Sequence, residues 1–246
     1  MKNILIYIKG KGFDKHQWED ESMKLLKVQI DNSQLYWKRE DIWLITNFPY
    51  EYNGVKAIEV MGDFYYYEKP TVTKVIVLYL LFSAGLIKEG EMYWFHDLDA
   101  FQLAPVIVDF KEDMALTDYG VTTVRESYNS RWSTGSWFFK KSAFDLFEKI
   151  LERSQKDDIN EEAALGRLLI DEPTLRERIH KLNITFNVAT RKRNVEETLK
   201  QATEPLRVLH FHPFDNRKLW NGKTNMEYCP TLMPKGLIDI LKQHGL

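Results

Sequence analysis

Runs of β-branched and aromatic residues alternate along this chain with stretches whose apolar residues recur at helical spacing, and few architectures accommodate that order. Asn3–Ile8 (NILIYI) reads as a first buried strand. Gly10, Gly12 and Asp14 mark a loop, and His16–Ile30 then carries Trp18, Leu25, Leu26 and Ile30 at near-helical spacing. Asp41–Thr46 (DIWLIT) predicts a second strand ending at Asn47-Phe48-Pro49, and Lys56–Val60 a short third one. Pro70 suits the first turn of a helix over Thr71–Ile87, closed near Gly85. Glu91–Phe95, Met114–Thr117 and Ser136–Lys140 predict further strands. Helices are expected over Ser142–Arg153, Asn160–Ile170 and Pro173–Leu182, strands over Asn183–Val188 and Arg207–Phe211, and a closing helix over Gly236–Gln243. This alternation predicts an α/β fold with a mixed, mostly parallel sheet flanked by helices.

The 246 residues are 44% hydrophobic, enough to bury a sizeable core. No Pro/Gly/Ser-rich linker, long charge block or internal repeat divides them, so a single domain over 1–246 is expected. A formal charge of −2 argues against bulk nucleic-acid binding or a polybasic membrane anchor. Arg191-Lys192-Arg193, beside Glu196 and Glu197, reads as a solvated face. With Cys229 alone, no disulfide can form within the chain, which fits a reducing compartment. Ile4–Ile8 is too short for a signal sequence, and Val75–Ile87, interrupted by Ser83 and Gly85, is too short to span a bilayer. The expectation is a soluble, cytoplasmic protein with no transmembrane segment and no nucleic-acid partner.

In open α/β sheets ligands bind beyond the carboxyl ends of the strands. There the sequence places YWFHDLDAFQ (93–102), with Asp97 and Asp99 one residue apart after an apolar run. In an extended backbone, residues i and i+2 point to the same side. Two carboxylates facing one spot raise the pKa of one of them unless a cation intervenes. Oxygen ligands favour Mg²⁺ or Mn²⁺, ions that commonly bridge carboxylates to substrate phosphates. The alternative is a polar turn held by local hydrogen bonds. There is no GxGxxG and no GxxxxGK[ST], which disfavours a dinucleotide site and a P-loop.

Asp97-Leu98-Asp99 after a hydrophobic strand resembles the D-x-D motif of GT-A-type, nucleotide-sugar-dependent glycosyltransferases. Three later stretches resemble that superfamily in order. STGSWFFKKS (133–142) is similar to its Gly-containing strand after the acceptor loop, NEEAALGRLL (160–169) to its acidic helix start, and VLHFHPFDNRKLW (208–220) to its C-terminal H-F-x-G-x-x-K-P-W segment. The last stretch lacks the family's Gly and has Leu219 in place of its Pro.

The resemblance implies a GT-A-like (Rossmann-like) fold, with 1–100 as the nucleotide-binding half and 101–246 as the acceptor half. It implies transfer of a sugar from a nucleoside-diphosphate sugar, UDP favoured, to a glycan or small-molecule hydroxyl. It further implies Mn²⁺ or Mg²⁺ held by Asp97, Asp99 and a histidine; His210 is favoured by motif order, with His212 as the alternative. Thr46, Lys74, Asp97 and Lys218 are the implied donor contacts. If the reaction inverts the anomeric centre, Glu162 and Glu161 rank first as base. Asp118, at a strand end before Tyr119-Gly120, follows. Glu161 and Glu162 after Asn160 are equally explained as acids in a capped first helical turn. His96 should point away from the acid pair. Phe64-Tyr65-Tyr66-Tyr67, Trp132, Trp137 and Trp220 are candidates to stack on sugars. Two other readings remain open: a sugar-1-phosphate nucleotidyltransferase-like enzyme, and a non-catalytic carbohydrate-binding protein on the same fold.

Overall fold

A computed structural model describes residues 1–10, 16–62, 64–67, 69–119, 132–189, 195–218 and 222–246. In chain order its strands are Lys2–Tyr7 (β1), Ile42–Thr46 (β2), Glu51–Tyr52 (β3), Val55–Glu59 (β4), Tyr93–His96 (β5), Ala100–Gln102 (β6), Met114–Asp118 (β7), Trp132–Phe139 (β8), Ile179–Leu182 (β9), Val188–Ala189 (β10) and Val208–His210 (β11). The helices are His16–Gln34 (α1), Thr73–Ser83 (α2), Phe144–Asp157 (α3), Glu161–Asp171 (α4), Val195–Gln201 (α5), Asn225–Tyr228 (α6) and Lys235–Gln243 (α7).

Eight strands form one sheet in the order β3-β4-β2-β1-β5-β8-β7-β9. The run β4-β2-β1-β5 is parallel throughout, and β9 joins β7 in parallel. The antiparallel pairings are β3 with β4, and β8 with both β5 and β7. The mixed, mostly parallel α/β sheet expected from the sequence is therefore present. Alternation along β1 assigns its faces. Leu5 packs with Leu26, Ile30, Ile42 and Leu44, on the α1 side. Ile4 packs with Val75, Leu78 and Leu81 of α2, in the cluster that also holds Phe147 and Ile150 of α3 and Leu165 and Leu168 of α4. Covered by helices on both faces, the central strands need continuous apolar runs rather than alternation; all eight residues of β8 are buried.

A second sheet of three strands, β10-β11-β6, flanks the first. Antiparallel pairing of β11 with β6 sets His210 opposite Ala100, one residue beyond Asp99. Gln29 and Asn32 of α1 fasten β6 by donating to the carbonyls of Ala100 (2.8 Å) and Gln102 (2.9 Å).

Two expected elements differ. Over Pro173–Leu182, a 3₁₀ turn (Pro173–Arg178) leads into β9 in place of a helix. Leu175, Ile179 and Leu182 have helical spacing, yet Ile179–Leu182 pairs with Met114–Thr117 of β7; the unpaired edge of β7 overrides local periodicity. Over Asn183–Val188, the Asn183 side chain accepts from Thr185 N–H and winds Ile184–Phe186 into a 3₁₀ turn, leaving only Val188–Ala189 as strand. The Asn160 cap is present as expected, its side chain accepting from Ala163 N–H at 2.8 Å. Among the described residues no helix is long and apolar enough to cross a membrane.

Candidate functional site

β5 ends at His96, and the chain turns at once. Asp97 N–H donates to the Gly135 carbonyl on β8 (2.9 Å), and Ala100 N–H closes a turn onto the Asp97 carbonyl (3.0 Å). Asp97 and Asp99 thus do not share a face through an extended backbone, as the sequence suggested. A tight turn brings them together while Leu98 packs into the apolar clusters beneath. His96 points away as expected. It is buried, stacked on Trp94 (4.1 Å), and its Nε2 lies 3.0 Å from Asn3 Oδ1. Burial lowers its pKa to about 4, so it is neutral at physiological pH.

His210 comes to the acid pair from β11. Its Nε2 is 3.0 Å from Asp99 Oδ1 and 3.9 Å from Asp97 Oδ2. One ligand atom from each of Asp97, Asp99 and His210 lies within 4.8 Å of the others. Gly135 makes room for the ring: a Cβ there would sit 2.4 Å from His210 Cε1 and Nδ1 and 3.2 Å from Asp97 Oδ2. Its backbone is not in the left-handed region, so the demand is purely one of space. On the far side of the ring, Nδ1 is 3.2 Å from Asn187 Oδ1, and Asn187 Nδ2 donates to Ser133 Oγ at 2.8 Å.

Lys74, in the first turn of α2, reaches the same place from the opposite sheet face. Its ammonium lies 2.9 and 3.1 Å from the two Asp97 oxygens, 3.1 Å from Glu161 Oε1 and 3.0 Å from the Thr134 carbonyl. An ammonium has three donors, and here all three are engaged. Glu161 also accepts from Thr134 Oγ1 (2.8 Å), and Glu162 Oε1 from Thr134 N–H (3.0 Å) and Ser133 Oγ (3.4 Å).

Burial opposes charge on Asp97, Asp99, His210, Lys74 and Glu161, and in all but Asp97 the pairings outweigh it. Asp97 is raised, its desolvation outweighing the help of Lys74 and His210. Asp99 is desolvated too, but the His210 charge and hydrogen bond hold it below the usual carboxylate range. His210 is raised against its own burial by Asp99 first and then Asp97. Lys74 is likewise raised against burial, by Asp97 and Glu161. Glu161 is lowered against burial, chiefly by Lys74.

These residues border a cavity of about 270 Å³ lined by Thr71, Lys74, Asp97, Asp99, Glu162 and His212 among others. A second cavity of about 380 Å³ shares Thr71, Lys74, Asp97, Asp99 and His210 and extends to Tyr7, Tyr65 and Pro70. The acid–histidine cluster therefore sits where two cavities meet. Asp118 and Thr46 line neither. The Asp118 carboxylate is 3.0 Å from Lys181 Nζ, and Thr46 is buried with its hydroxyl donating to the Phe48 carbonyl. Lys218 is exposed, beside Leu219 and Trp220, which lie outside the described residues. Trp137 is core, stacked on Phe147 at 5.1 Å, and Trp132 is buried in the same cluster. Sequence reasoning missed Asn187 and Thr71; Thr134 and Gly135 were signalled only by the S-T-G of the resembling strand.

Known structures share this architecture. A glycosyltransferase involved in glycosylation of the major capsid of PBCV-1 matches with a TM-score of 0.52 at 11% identity, covering 85% of this chain and 93% of that one. The galactosyltransferase LgtC matches with TM-scores of 0.58 as an active-site mutant and 0.53 in complex with donor and acceptor sugar analogs. Both are at 11% identity, with 100% of this chain and 95% of LgtC covered. The glycosyltransferase GlyE of Streptococcus pneumoniae TIGR4 matches at 0.57 and 8% identity. That match covers 99% of this chain but 63% of GlyE, so this chain spans less than two thirds of that protein. No protein-family model matches the sequence, and neither does any curated protein at a significant level. At these identities the likeness establishes a shared fold, that of GT-A glycosyltransferases.

Proposed function

We propose that this chain, with the fold of GT-A glycosyltransferases, transfers a sugar from a nucleoside-diphosphate sugar, UDP-sugars first, to a hydroxyl of a glycan or small-molecule acceptor, with Mn²⁺ or Mg²⁺ as cofactor. The observation that carries the reading is the convergence of Asp97, Asp99 and His210 at the junction of two cavities. Two carboxylates and an imidazole suit Mn²⁺, and Mg²⁺ less fully because of the nitrogen. Charge supports the same fit. Asp97, Asp99, Glu161 and Glu162 border the first cavity with Lys74 as the one lysine among its lining residues. A diphosphate entering such a site meets net negative charge unless a divalent cation accompanies it. Bound there, the cation would offset charge on the departing diphosphate.

The chain's own residues divide the remaining work. Asp97, Asp99 and His210 would hold the cation. Lys74 is committed to Asp97, Glu161 and Thr134, so we assign it to holding those acids in place in preference to touching the diphosphate. Of the two lysines singled out in the sequence, we leave the diphosphate to Lys218, which is exposed, lies in the C-terminal motif and lines neither cavity. Glu161 and Glu162 both line the first cavity, and we assign to Glu162 the taking of a proton from an acceptor hydroxyl. Glu161 is consumed by Lys74 and Thr134, and Asp118 by Lys181.

Incubation with UDP-, GDP- and other nucleotide sugars, with Mn²⁺ or with chelator, tests the proposal. Metal-dependent release of nucleoside diphosphate is the expected result. Pyrophosphate release from a nucleoside triphosphate plus sugar phosphate would instead indicate a nucleotidyltransferase. Sugar binding without turnover of any donor would indicate a non-catalytic carbohydrate-binding protein.

A further inference from the structure

Asn187 lines neither cavity, yet it is fully buried beside His210. Its backbone is fixed at both ends: N–H donates to the Ile184 carbonyl (2.9 Å), and its carbonyl accepts from Tyr119 OH. That leaves the carboxamide little choice of position. Its two ends contact His210 Nδ1 at 3.2 Å and Ser133 Oγ at 2.8 Å, and Ser133 Oγ in turn lies 3.4 Å from Glu162 Oε1.

The direction of this chain of hydrogen bonds is set by chemistry. The Ser133 hydroxyl donates to Glu162 Oε1. The Ser133 oxygen is then free to accept, and the Asn187 amide nitrogen donates to it. That orientation turns Asn187 Oδ1 toward His210, and Oδ1 can only accept. His210 Nδ1 must therefore carry a hydrogen, leaving Nε2, which faces Asp99 and Asp97, as the atom available to a metal. The partner of the non-ligating nitrogen is what sets a metal-binding imidazole's tautomer and orientation.

We propose that Asn187 is a positioning residue for His210, presenting Nε2 to the cation site, and that Ser133 ties this arrangement to Glu162 at the start of α4. The inference rests on the metal reading of Asp97, Asp99 and His210. It extends that reading to a residue in an irregular segment, joining the metal side of the cavity to its acidic side through a buried, directional chain.

The test is a Mn²⁺ titration of the purified protein, followed by the signal of the free ion, together with ¹⁵N-histidine spectra in the presence of Zn²⁺ as a diamagnetic stand-in. Wild-type spectra should show His210 protonated on Nδ1 with Nε2 bound to metal. Asn187→Ala should weaken Mn²⁺ binding by about 10–100-fold. Asn187→Asp keeps the acceptor for Nδ1–H and should bind Mn²⁺ as well as wild type or better, whereas Asn187→Leu, of similar volume but with no acceptor, should bind as weakly as Asn187→Ala. Ser133→Ala removes the hydroxyl that orients the carboxamide and should also weaken Mn²⁺ binding, by less than Asn187→Ala. Metal on Nδ1 in wild type overturns the inference, and so does wild-type affinity in a folded Asn187→Ala. If Asn187→Ala does not fold, a tenfold or greater loss in Asn187→Asp overturns it as well. A wild-type protein that binds no Mn²⁺ removes the metal reading and this inference together, a result distinct from wild-type binding that the variants leave unchanged.

Discussion

Replacing Gly135 by alanine tests the site through a single methyl group. The new Cβ would lie 2.4 Å from His210 Cε1 and Nδ1, where ordinary contact begins at 3.4 Å. The ring must retreat by about 1 Å to relieve the overlap. That shift breaks the 3.0 Å contact with Asp99 or the 3.2 Å contact with Asn187, depending on its direction. Metal–ligand distances tolerate only about 0.2 Å, so His210 would be lost as a ligand. Because an outer partner alone is worth about 10–100-fold in metal affinity, losing the ligand itself should weaken Mn²⁺ binding by at least about 100-fold, or about 2.8 kcal/mol. Overpacking of this kind costs about 1–3 kcal/mol of stability. For a chain of this size that lowers Tm by about 2–12 °C. A Mn²⁺ titration beside a circular-dichroism melt reads both quantities. Wild-type Mn²⁺ affinity in Gly135→Ala would refute the reasoning, since either the ring does not occupy that space or it is no ligand.

Gly236→Ala serves as the contrasting substitution. Its Cβ would meet only Leu35 at 3.4 and 3.8 Å, inside α7, so a gain of about 0.4–1 kcal/mol in a chemical denaturation curve is expected. Lys74→Met strands Asp97 and Glu161 in a buried site without their cation; a loss of about 3–5 kcal/mol is expected, and an unchanged unfolding midpoint would count against the pairing. Cys229 is buried and its thiol is pushed up to about 12 by burial. It should resist maleimide at pH 8 in the native protein and react promptly in guanidinium; rapid labelling of the native protein would contradict its burial.

The central strands were legible because their chemistry is local. NILIYI and DIWLIT are β-branched and apolar on both faces, as strands covered by helices on each side must be. What escaped was set at a distance. Leu175, Ile179 and Leu182 carry a helical period, and only the open edge of β7 makes their segment part strand. β6 and α6 span three and four residues, too few for any period to register. In the site, the acidic pair was legible but its geometry was not, because a turn closed from Ala100 to Asp97 replaces the expected extended backbone. His210 was reached through motif order, and its placement follows from pairing with Ala100. Asn187 gives no signal at all: it is one polar residue in an irregular segment, and its partners on β8 and β11 meet it only once the two sheets are assembled.

The central claim is that Asp97, Asp99 and His210 hold a divalent cation through which a nucleoside diphosphate binds. Calorimetric titration of UDP into wild type and Asp99→Asn, each with Mn²⁺ and with chelator, tests it directly. The account predicts UDP binding to wild type only with Mn²⁺, and none to a normally folded Asp99→Asn under either condition. Equal UDP affinity with and without metal, or in wild type and Asp99→Asn alike, would contradict it.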